Sequence, residues 1–256
     1  MLSLQRNFGY TIANGSPAQS VPFTSPNAAG DGLIVVAYFE CDIYPLRPNL
    51  EVSDSQGNTY QSIGACGAYD AGNGLASLLQ IWYVNSCRAG ANTVTVTQST
   101  NTQNATFIFA VSVFEYSGGL GAVDGSSFAT GLGRSSVTLS LTTRAAGDLL
   151  FAYATQFGAN GTATLDSSSG GYSTEQTEAI HQLVSPYNVL VPILAVDQVE
   201  GVAGIETVTF DYSQSTEGLD TALLVALPCG LSAPPPPPPS PSAPVLGAGQ
   251  AWPTIF

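Results

Sequence analysis

The amino-acid sequence predicts an all-β protein with two similar domains and an extended proline-rich C-terminal tail. Three observations support this prediction: many segments rich in β-branched and aromatic residues, a repeated series of motifs, and a change of composition after Cys229. Clusters of Gly, Asn, Asp and Ser separate most of the segments, as turns separate strands. The predicted strands are 33–39, 78–84, 93–98, 106–116, 136–142, 149–155, 188–196, 207–212 and 221–227.

The hydrophobic pattern distinguishes two kinds of strand. Residues 93–98 and 136–142 alternate polar and apolar side chains, which is typical of a strand with one solvated face. Continuous apolar runs such as 33–39 indicate strands buried between two sheets. Pro192 lies inside another such run and predicts an edge strand or a bulge there. Helix signals are weak, and the strongest is a capping arrangement in Ser173–His181.

The same motifs recur in the same order in both halves of the chain. Ala-Ala-Gly-Asp at 28–31 precedes one apolar run, and the same four residues at 145–148 precede another. Further matches link 20–24 with 136–139, 52–60 with 164–172, and 90–96 with 204–210. The repeat predicts two tandem antiparallel β-sandwich domains, at 1–118 and 119–230.

The tail begins with a polyproline segment. The linker, residues 231–244, contains an uninterrupted proline run from Pro234 to Pro239, which favours a stiff polyproline II conformation. Residues 234–244 would span roughly 34 Å at about 3.1 Å per residue. Residues 245–256 carry no charged side chain, and we expect them to dock on a partner. The predicted docking residues are Val245, Leu246, Trp252, Ile255 and Phe256.

Charge excludes several classes of partner. The chain has no lysine, five arginines and 18 carboxylates, for a net charge of −13. Nucleic-acid binding is excluded because phosphate recognition needs a basic patch. The same charge repels anionic membranes, and no apolar run is long enough to cross a bilayer. The first residues lack a secretory signal pattern, so we expect a protein that is not exported by that route.

The four cysteines show no metal-binding spacing. None forms a Cys-x-x-Cys motif, and with a single histidine the chain predicts no zinc site and no other metal or cofactor. Cys41, Cys66 and Cys87 fall close together in the first half, and one disulfide among them is compatible with this spacing. The sequence does not select the pair.

The search for catalytic residues predicts no active site. His181 is the only histidine, and no Gly-x-Ser-x-Gly motif accompanies it. Two carboxylate pairs are close in sequence, Glu40 with Asp42 and Glu175 with Glu178, and such pairs serve glycosidases. With 18 carboxylates some proximity is expected in any protein, so we interpret both pairs as solvated. The protein is predicted not to be an enzyme.

Two further patterns suggest binding. Residues 54–58 (Asp-Ser-Gln-Gly-Asn) resemble a calcium loop, but they lack the bidentate glutamate and fit a β-turn better. Exposed aromatic rings would offer stacking surfaces for sugars, and the loops 41–50 and 66–76 are the favoured contact regions. The aromatic candidates are Tyr10, Tyr38, Tyr44, Tyr60, Tyr69, Trp82, Tyr83 and Tyr116. Most of them lie in strands, where aromatic residues are more often part of the core or its rim.

The motif order resembles the duplicated β-sandwich modules of phage structural proteins and bacterial surface proteins. The resemblance covers residues 1–228 through AAGD, DSQGNTY, LQIWYV, GANTVTVT and VFEYSG. It implies jelly-roll or immunoglobulin-like sandwiches and a phage virion protein: a capsid decoration, head fibre or tail component on the virion surface. Other subunits of an oligomeric assembly, and a host-surface glycan, would be the partners. The alternatives are an extracellular or cell-surface carbohydrate-binding module and, more distantly, a glycosidase or lyase.

Overall fold

A computed structural model of the chain describes residues 3–14, 18–41, 49–70, 72, 74–98, 106–157, 161–184, 187–213 and 218–231. Across these residues the protein is all-β, with 17 strands and no helix. None of the described segments therefore forms a helix able to cross a bilayer. All strand pairs are antiparallel, and the nine segments predicted as strands from the sequence are strands.

The first half of the chain forms two sheets. The five-stranded sheet has the order β1-β8-β3-β6-β5, and the three-stranded sheet has the order β2-β7-β4. The strands are β1 (Ser3–Asn14), β2 (Ala18–Pro22), β3 (Gly32–Cys41), β4 (Leu50–Asp54), β5 (Gln61–Asp70), β6 (Leu75–Val84), β7 (Thr93–Gln98) and β8 (Thr106–Tyr116).

The second half forms two sheets with a matching strand order. The larger sheet is β10-β17-β12-β15-β14, with β9 added beside β17, and the smaller sheet is β11-β16-β13. The strands are β9 (Gly119–Leu120), β10 (Gly125–Leu132), β11 (Ser136–Thr142), β12 (Asp148–Phe157), β13 (Ala163–Leu165), β14 (Ser173–Val184), β15 (Tyr187–Val199), β16 (Ile205–Tyr212) and β17 (Leu219–Leu231).

The four sheets stack as layers in the order three, five, six and three strands. Alternate residues of β3 pack in different cores: Leu33 and Val35 face the three-stranded sheet, whereas Ile34 and Val36 face the larger sheet of the second half. All ten residues of β3, and all ten of β12, are buried. The continuous apolar runs therefore belong to strands covered on both faces, and a common core joins the two halves.

The repeated AAGD motif builds the same turn in both halves. Gly30 and Gly147 each have φ near +93°, which favours glycine, and each precedes the central strand of its sheet. The Gly30 amide donates to the Cys87 carbonyl at 3.0 Å, and the Gly147 amide donates to the Glu200 carbonyl at 3.1 Å. Cys87 and Glu200 therefore occupy equivalent positions, and so do the two AAGD motifs.

One part of the predicted alignment is shifted. The sequence comparison aligned Ser20 with Ser136. The pairing of β2 with β7, and of β11 with β16, aligns Ser20 with Thr138 instead. The Ser20 hydroxyl lies 2.8 Å from that of Thr95, and the Thr138 hydroxyl lies 2.9 Å from that of Thr209. The difference is two residues, which preserves the face of the strand, so alternation alone could not detect it.

Two local expectations were wrong. The strongest helix candidate, Ser173–His181, lies in β14, because pairing with β15 dominates over local helix preference. β15 is not an edge strand, and it has no bulge at Pro192. The ladder with β12 ends at Ile193, the residue after Pro192, so Pro192 is paired with β14 alone and its missing amide hydrogen removes no bond on the β12 side.

Candidate functional site

Both halves meet at one end of the layered body, which we call the linker end. Here β9 crosses between the halves: the Leu120 amide donates to the Asn85 carbonyl, and the Gly121 amide donates to the Pro228 carbonyl. The final strand, β17, also ends here, beside the AAGD turn of the second half. The predicted docking residues 245–256 and the polyproline linker lie outside the described residues, apart from Leu231.

The clearest polar cluster surrounds Asp54, in the turn that resembled a calcium loop. Its Oδ1 accepts from the amides of Gln56 and Asn58, at 3.1 and 2.9 Å. Its Oδ2 accepts from Asn58 Nδ2, Tyr60 Oη and Asn92 Nδ2, at 2.7, 2.8 and 2.9 Å. Both oxygens are thus used to bind protein donors. The turn interpretation fits this geometry, because a cation would have to displace these donors.

Electrostatics supports a structural role for this carboxylate. Burial acts to raise the pKa of Asp54, but hydrogen bonds from Asn58, Asn92 and Tyr60 outweigh it and hold the pKa below its usual value. The charged form is therefore the form that the fold stabilises. Among the described residues, no group of three or more His, Cys, Asp or Glu is arranged to hold a metal ion.

We expect Asp54→Ala to lower the free energy of unfolding by about 2–4 kcal/mol, because it leaves the Tyr60 hydroxyl and two side-chain amides without their acceptor. Urea unfolding followed by circular dichroism measures the change. Asp166→Ala is the matched control, since Asp166 is half-buried in the corresponding turn and accepts from the amide and the hydroxyl of Ser168, two residues away. Equal losses in the two variants would contradict the structural role of Asp54.

A cleft of about 300 Å³ opens beside this turn, at the linker end. It lies between the segment that follows β4 and the segment that follows β6. Its floor includes Val84, and the amides of Gln61 and Asn85 are hydrogen-bonded to each other. The lining residues are Gly57, Asn58, Thr59, Gln61, Val84, Asn85, Ser86 and Arg88.

Arg88 is held at this cleft by two hydrogen bonds. Its backbone amide donates to Asn58 Oδ1 at 2.8 Å, and Nη1 donates to the Gln56 carbonyl at 3.0 Å. Within the described part of the chain the guanidinium has no ion pair; the ion pairs there involve Arg6 and Arg144. The cleft thus combines one oriented cation, hydroxyls and amides. Sequence reasoning missed it, because its residues come from two separate segments.

Two acidic clusters lie elsewhere in the body. Glu175 occupies a bulge in β14, where it pairs with Arg6 of the first half at 2.8 Å. Burial, and then the negative charge of Glu175, raises the pKa of Asp197 to about 6. At the linker end, burial and then the charges of Asp124 and Glu200 raise the pKa of Asp148 to about 6.

The other carboxylates and the histidine considered for catalysis are dispersed. Glu40 is buried and accepts from the Tyr38 hydroxyl at 2.9 Å, and Asp42 lies outside the described residues. Glu178 lines a smaller cleft of about 160 Å³ with Pro192. His181 lies in β14, but its side chain is outside the described part. Glu175 and Glu178 therefore have different surroundings, and the other predicted pair, Glu40 with Asp42, is described only at Glu40.

No disulfide joins the four cysteines, which all lie in the described part of the chain. Cys41 ends β3, whereas Cys87 is hydrogen-bonded near the start of that strand, so the two lie at opposite ends of the sheet. Cys66 packs against the central core instead. Burial raises the pKa of Cys66 to about 12 and that of Cys87 to about 11, so both thiols are protonated at neutral pH.

Most aromatic candidates for sugar stacking are not available. Tyr38, Trp82, Tyr83 and Tyr116 are buried in the cores. Tyr60 is half-buried, and Tyr44 lies outside the described residues. Tyr10 and Tyr69 are exposed, at 45% and 36%.

The two favoured contact loops are also revised. Residues 42–48 of the first loop lie outside the described part. Most of the second, 66–76, belongs to the hairpin of β5 and β6.

Comparison with protein-family models, curated proteins and solved structures finds no match for this chain. The function therefore has to be argued from the residues and the geometry alone.

Proposed function

We propose that this chain is a non-enzymatic structural or adhesive protein of a surface assembly. A phage virion protein, such as a capsid decoration, head fibre or tail component, fits best. In this proposal the virion surface is its location, and the tail binds other subunits. The observation that supports the proposal is the common core between the two larger sheets, which makes the two halves one thick and rigid body.

The way buried carboxylates are used supports the same proposal. Glu115 Oε1 accepts from the Ala28 amide at 3.1 Å, and Asp31 Oδ1 accepts from the Gly118 amide at 3.0 Å. Like those of Asp54, these hydrogen bonds fix loops: Glu115 joins a loop to strand β8, and Asp31 joins one loop to another. The polar groups of the first half therefore stabilise the fold at the linker end, as expected of a protein whose task is mechanical or adhesive.

The domain organisation is part of the proposal. We propose that residues 1–118 and 119–230 are two β-sandwich domains that arose by duplication. The strand order is the same in both halves, strand for strand from β1 and β10 onward, and the AAGD turns occupy equivalent positions. The sheet membership of the chain changes between Tyr116 and Gly119, close to the proposed boundary.

A carbohydrate-binding module of an exported bacterial protein is the second candidate. One observation favours it: the cleft beside Arg88 has the size of a small-ligand site and a polar lining. Soluble glycan binding without incorporation into particles would select this candidate over the first.

Deleting residues 232–256 is expected to reduce retention on the native assembly by more than tenfold. Burial of Trp252 and Phe256 would contribute on the order of 2–3 kcal/mol each. Particles are purified from the producing host, washed, and assayed for the bound protein. Trp252→Ala with Phe256→Ala should reproduce most of the loss, whereas Gln250→Ala in the same peptide should not.

Circular dichroism of each variant verifies that the body remains folded. Unchanged retention of a folded truncated chain would refute anchoring by the tail. Absence of the full-length protein from washed particles would refute the assembly role itself.

A further inference from the structure

The cation at the linker-end cleft is not required by the fold. Cys87 and Glu200 are equivalent, and so are Gly90 and Gly204. The loop between them is one residue longer in the second half, where 201–203 are Gly, Val and Ala in place of Arg88 and Ala89. The second half nevertheless makes the same backbone bond: the Glu200 amide donates to the Asp148 carbonyl at 3.0 Å, and the Cys87 amide donates to that of Asp31 at 2.8 Å. The equivalent loop makes this bond without any cation, so the bond does not depend on Arg88.

The charge of Arg88 is unusual in its setting. The chain carries only five arginines against 18 carboxylates, so a cation would be expected to find an internal acidic partner. Instead the guanidinium is fixed by the Gln56 carbonyl through Nη1, and this bond uses one of its five N–H donors. A planar guanidinium with free donors is the group best suited to bind a carboxylate in two-point geometry.

The rest of the lining suits hydroxyl groups. Thr59 and Ser86 contribute hydroxyls, and Gln61 contributes an amide that is oriented by Tyr83 Oη at 3.2 Å and by Asn85. Fixed amides and hydroxyls around a small apolar floor are the groups that orient polar ligands. The volume, about 300 Å³, is that of the smaller ligand pockets and holds one or two sugar rings rather than a chain.

We propose that this cleft binds a sugar acid: a pyranose unit whose carboxylate is held by Arg88 and whose hydroxyls contact Thr59, Ser86 and Gln61. This inference deepens the adhesive part of the proposed function, by naming a class of ligand and the residues that contact it. A single unit without an aromatic stacking partner should bind weakly, with a dissociation constant on the order of 1 mM. Many copies on one assembly would raise the effective affinity.

The test uses the full chain and three probes: methyl glucuronoside, methyl glucoside and acetate. Isothermal titration calorimetry and saturation-transfer NMR measure binding. We expect the glucuronoside to bind at least tenfold more tightly than either of the other probes, because only it offers both the carboxylate and the hydroxyls. Added salt should weaken its binding, since the interaction is between opposite charges near the surface.

Variants assign the binding to the cleft. Arg88→Gln should weaken glucuronoside binding at least tenfold while leaving the backbone bond to Asn58 in place. Ser86→Ala should weaken it about two- to fivefold, the usual effect of one neutral hydrogen bond. Arg134→Gln is the matched control: it removes another arginine without an ion pair in the described residues, outside the cleft, and should change nothing.

Several results would overturn the inference. They are no glucuronoside binding, equal binding of the two glycosides, acetate binding as tight as that of the glucuronoside, or full binding by a folded Arg88→Gln variant. Thermal unfolding of each variant confirms that it is folded. Retention on particles is measured separately, so failure of sugar binding with intact tail-dependent retention would reject this inference and leave the proposed function standing.

Discussion

Truncating Phe151 to alanine should lower the free energy of unfolding by about 3–5 kcal/mol. Although Phe151 lies in the second half of the chain, the substitution should also destabilise the first half. The ring of Phe151 is fully buried between the two larger sheets, where its centroid lies 5.0 Å from that of Phe114 at an angle of 66°. The lost contacts therefore include those of the first half, and the cavity would lie in the common core.

Fluorescence of Trp82 provides the necessary probe of the first half. Trp82 is buried between β6 and the three-stranded sheet of that half. In a Trp252→Phe background it is the sole tryptophan. We expect urea transitions followed by Trp82 fluorescence and by circular dichroism to coincide, and to move together when Phe151→Ala is introduced.

Leu139→Ala is the matched comparison. Leu139 is buried in the core between β11 and β12, within the second half alone. If the body unfolds as one unit, this variant also shifts the Trp82 transition. The opposite result would be two separated transitions, with the urea midpoint of Trp82 fluorescence unchanged in both variants. It would mean that the halves unfold independently and that the central core does not couple them.

Acidification from pH 7 to pH 5 should increase stability, the reverse of the usual trend for a protein rich in carboxylates. Asp148 and Asp197 have pKa values raised to about 6, by burial first and by neighbouring carboxylates second. Glu200 and Asp220 have pKa values raised in the same direction, also chiefly by burial. The folded chain thus binds these protons more tightly than the unfolded chain does.

The direction of the effect follows from linkage. Stabilisation by these groups is complete below the unfolded pKa, near 3.8 for aspartate, and is lost as the pH rises through about 6. Asp148 and Asp197 should each contribute about 1–2 kcal/mol across this range. Asp54 acts in another window, because its lowered pKa contributes stability above the usual aspartate pKa, and this contribution is lost as the pH falls through the pKa of the folded state.

Asparagine substitutions isolate the two aspartates. Asp148→Asn and Asp197→Asn imitate the protonated state, so each should stabilise the chain at pH 7 and flatten the pH dependence between 5 and 7. Urea unfolding at each pH measures this directly. Asp166→Asn should leave the profile between pH 5 and 7 unchanged, because hydrogen bonds from Ser168 lower the pKa of Asp166 and keep it ionised throughout this range. A wild-type profile that rises from pH 5 to 7 would contradict the assigned pKa directions.

The sequence was most informative where both faces of a strand are covered. The run 33–39 predicted a buried strand because every side chain is apolar, and β3 is buried throughout. The sequence could not specify what covers the second face, so the common core was not foreseen. Strand β5 was missed because its packing requires small residues: a Cβ on Gly64 would lie 2.7 Å from the Phe128 ring.

The candidate site was less predictable than the fold. Asp54 was noticed for its ligand-like spacing, but its role depends on Asn92, which lies 38 residues away along the chain. Arg88 carried no motif at all. Its significance comes from the anchoring by Gln56 and Asn58, and from the uncharged loop, 201–203, that takes its place in the other half. Such contacts are set by strand pairing, which local sequence patterns do not encode.

The position of β17 has a mechanical consequence. This strand lies inside its sheet, between β10 and β12, and it is antiparallel to both. When tension is applied to the end of β17 at Leu231 along the strand axis, the hydrogen bonds to both neighbours are loaded in shear and must yield together. A strand peeled from a sheet edge would lose them one at a time. A pulling force at the C-terminus therefore acts on one of the most firmly held segments of the body.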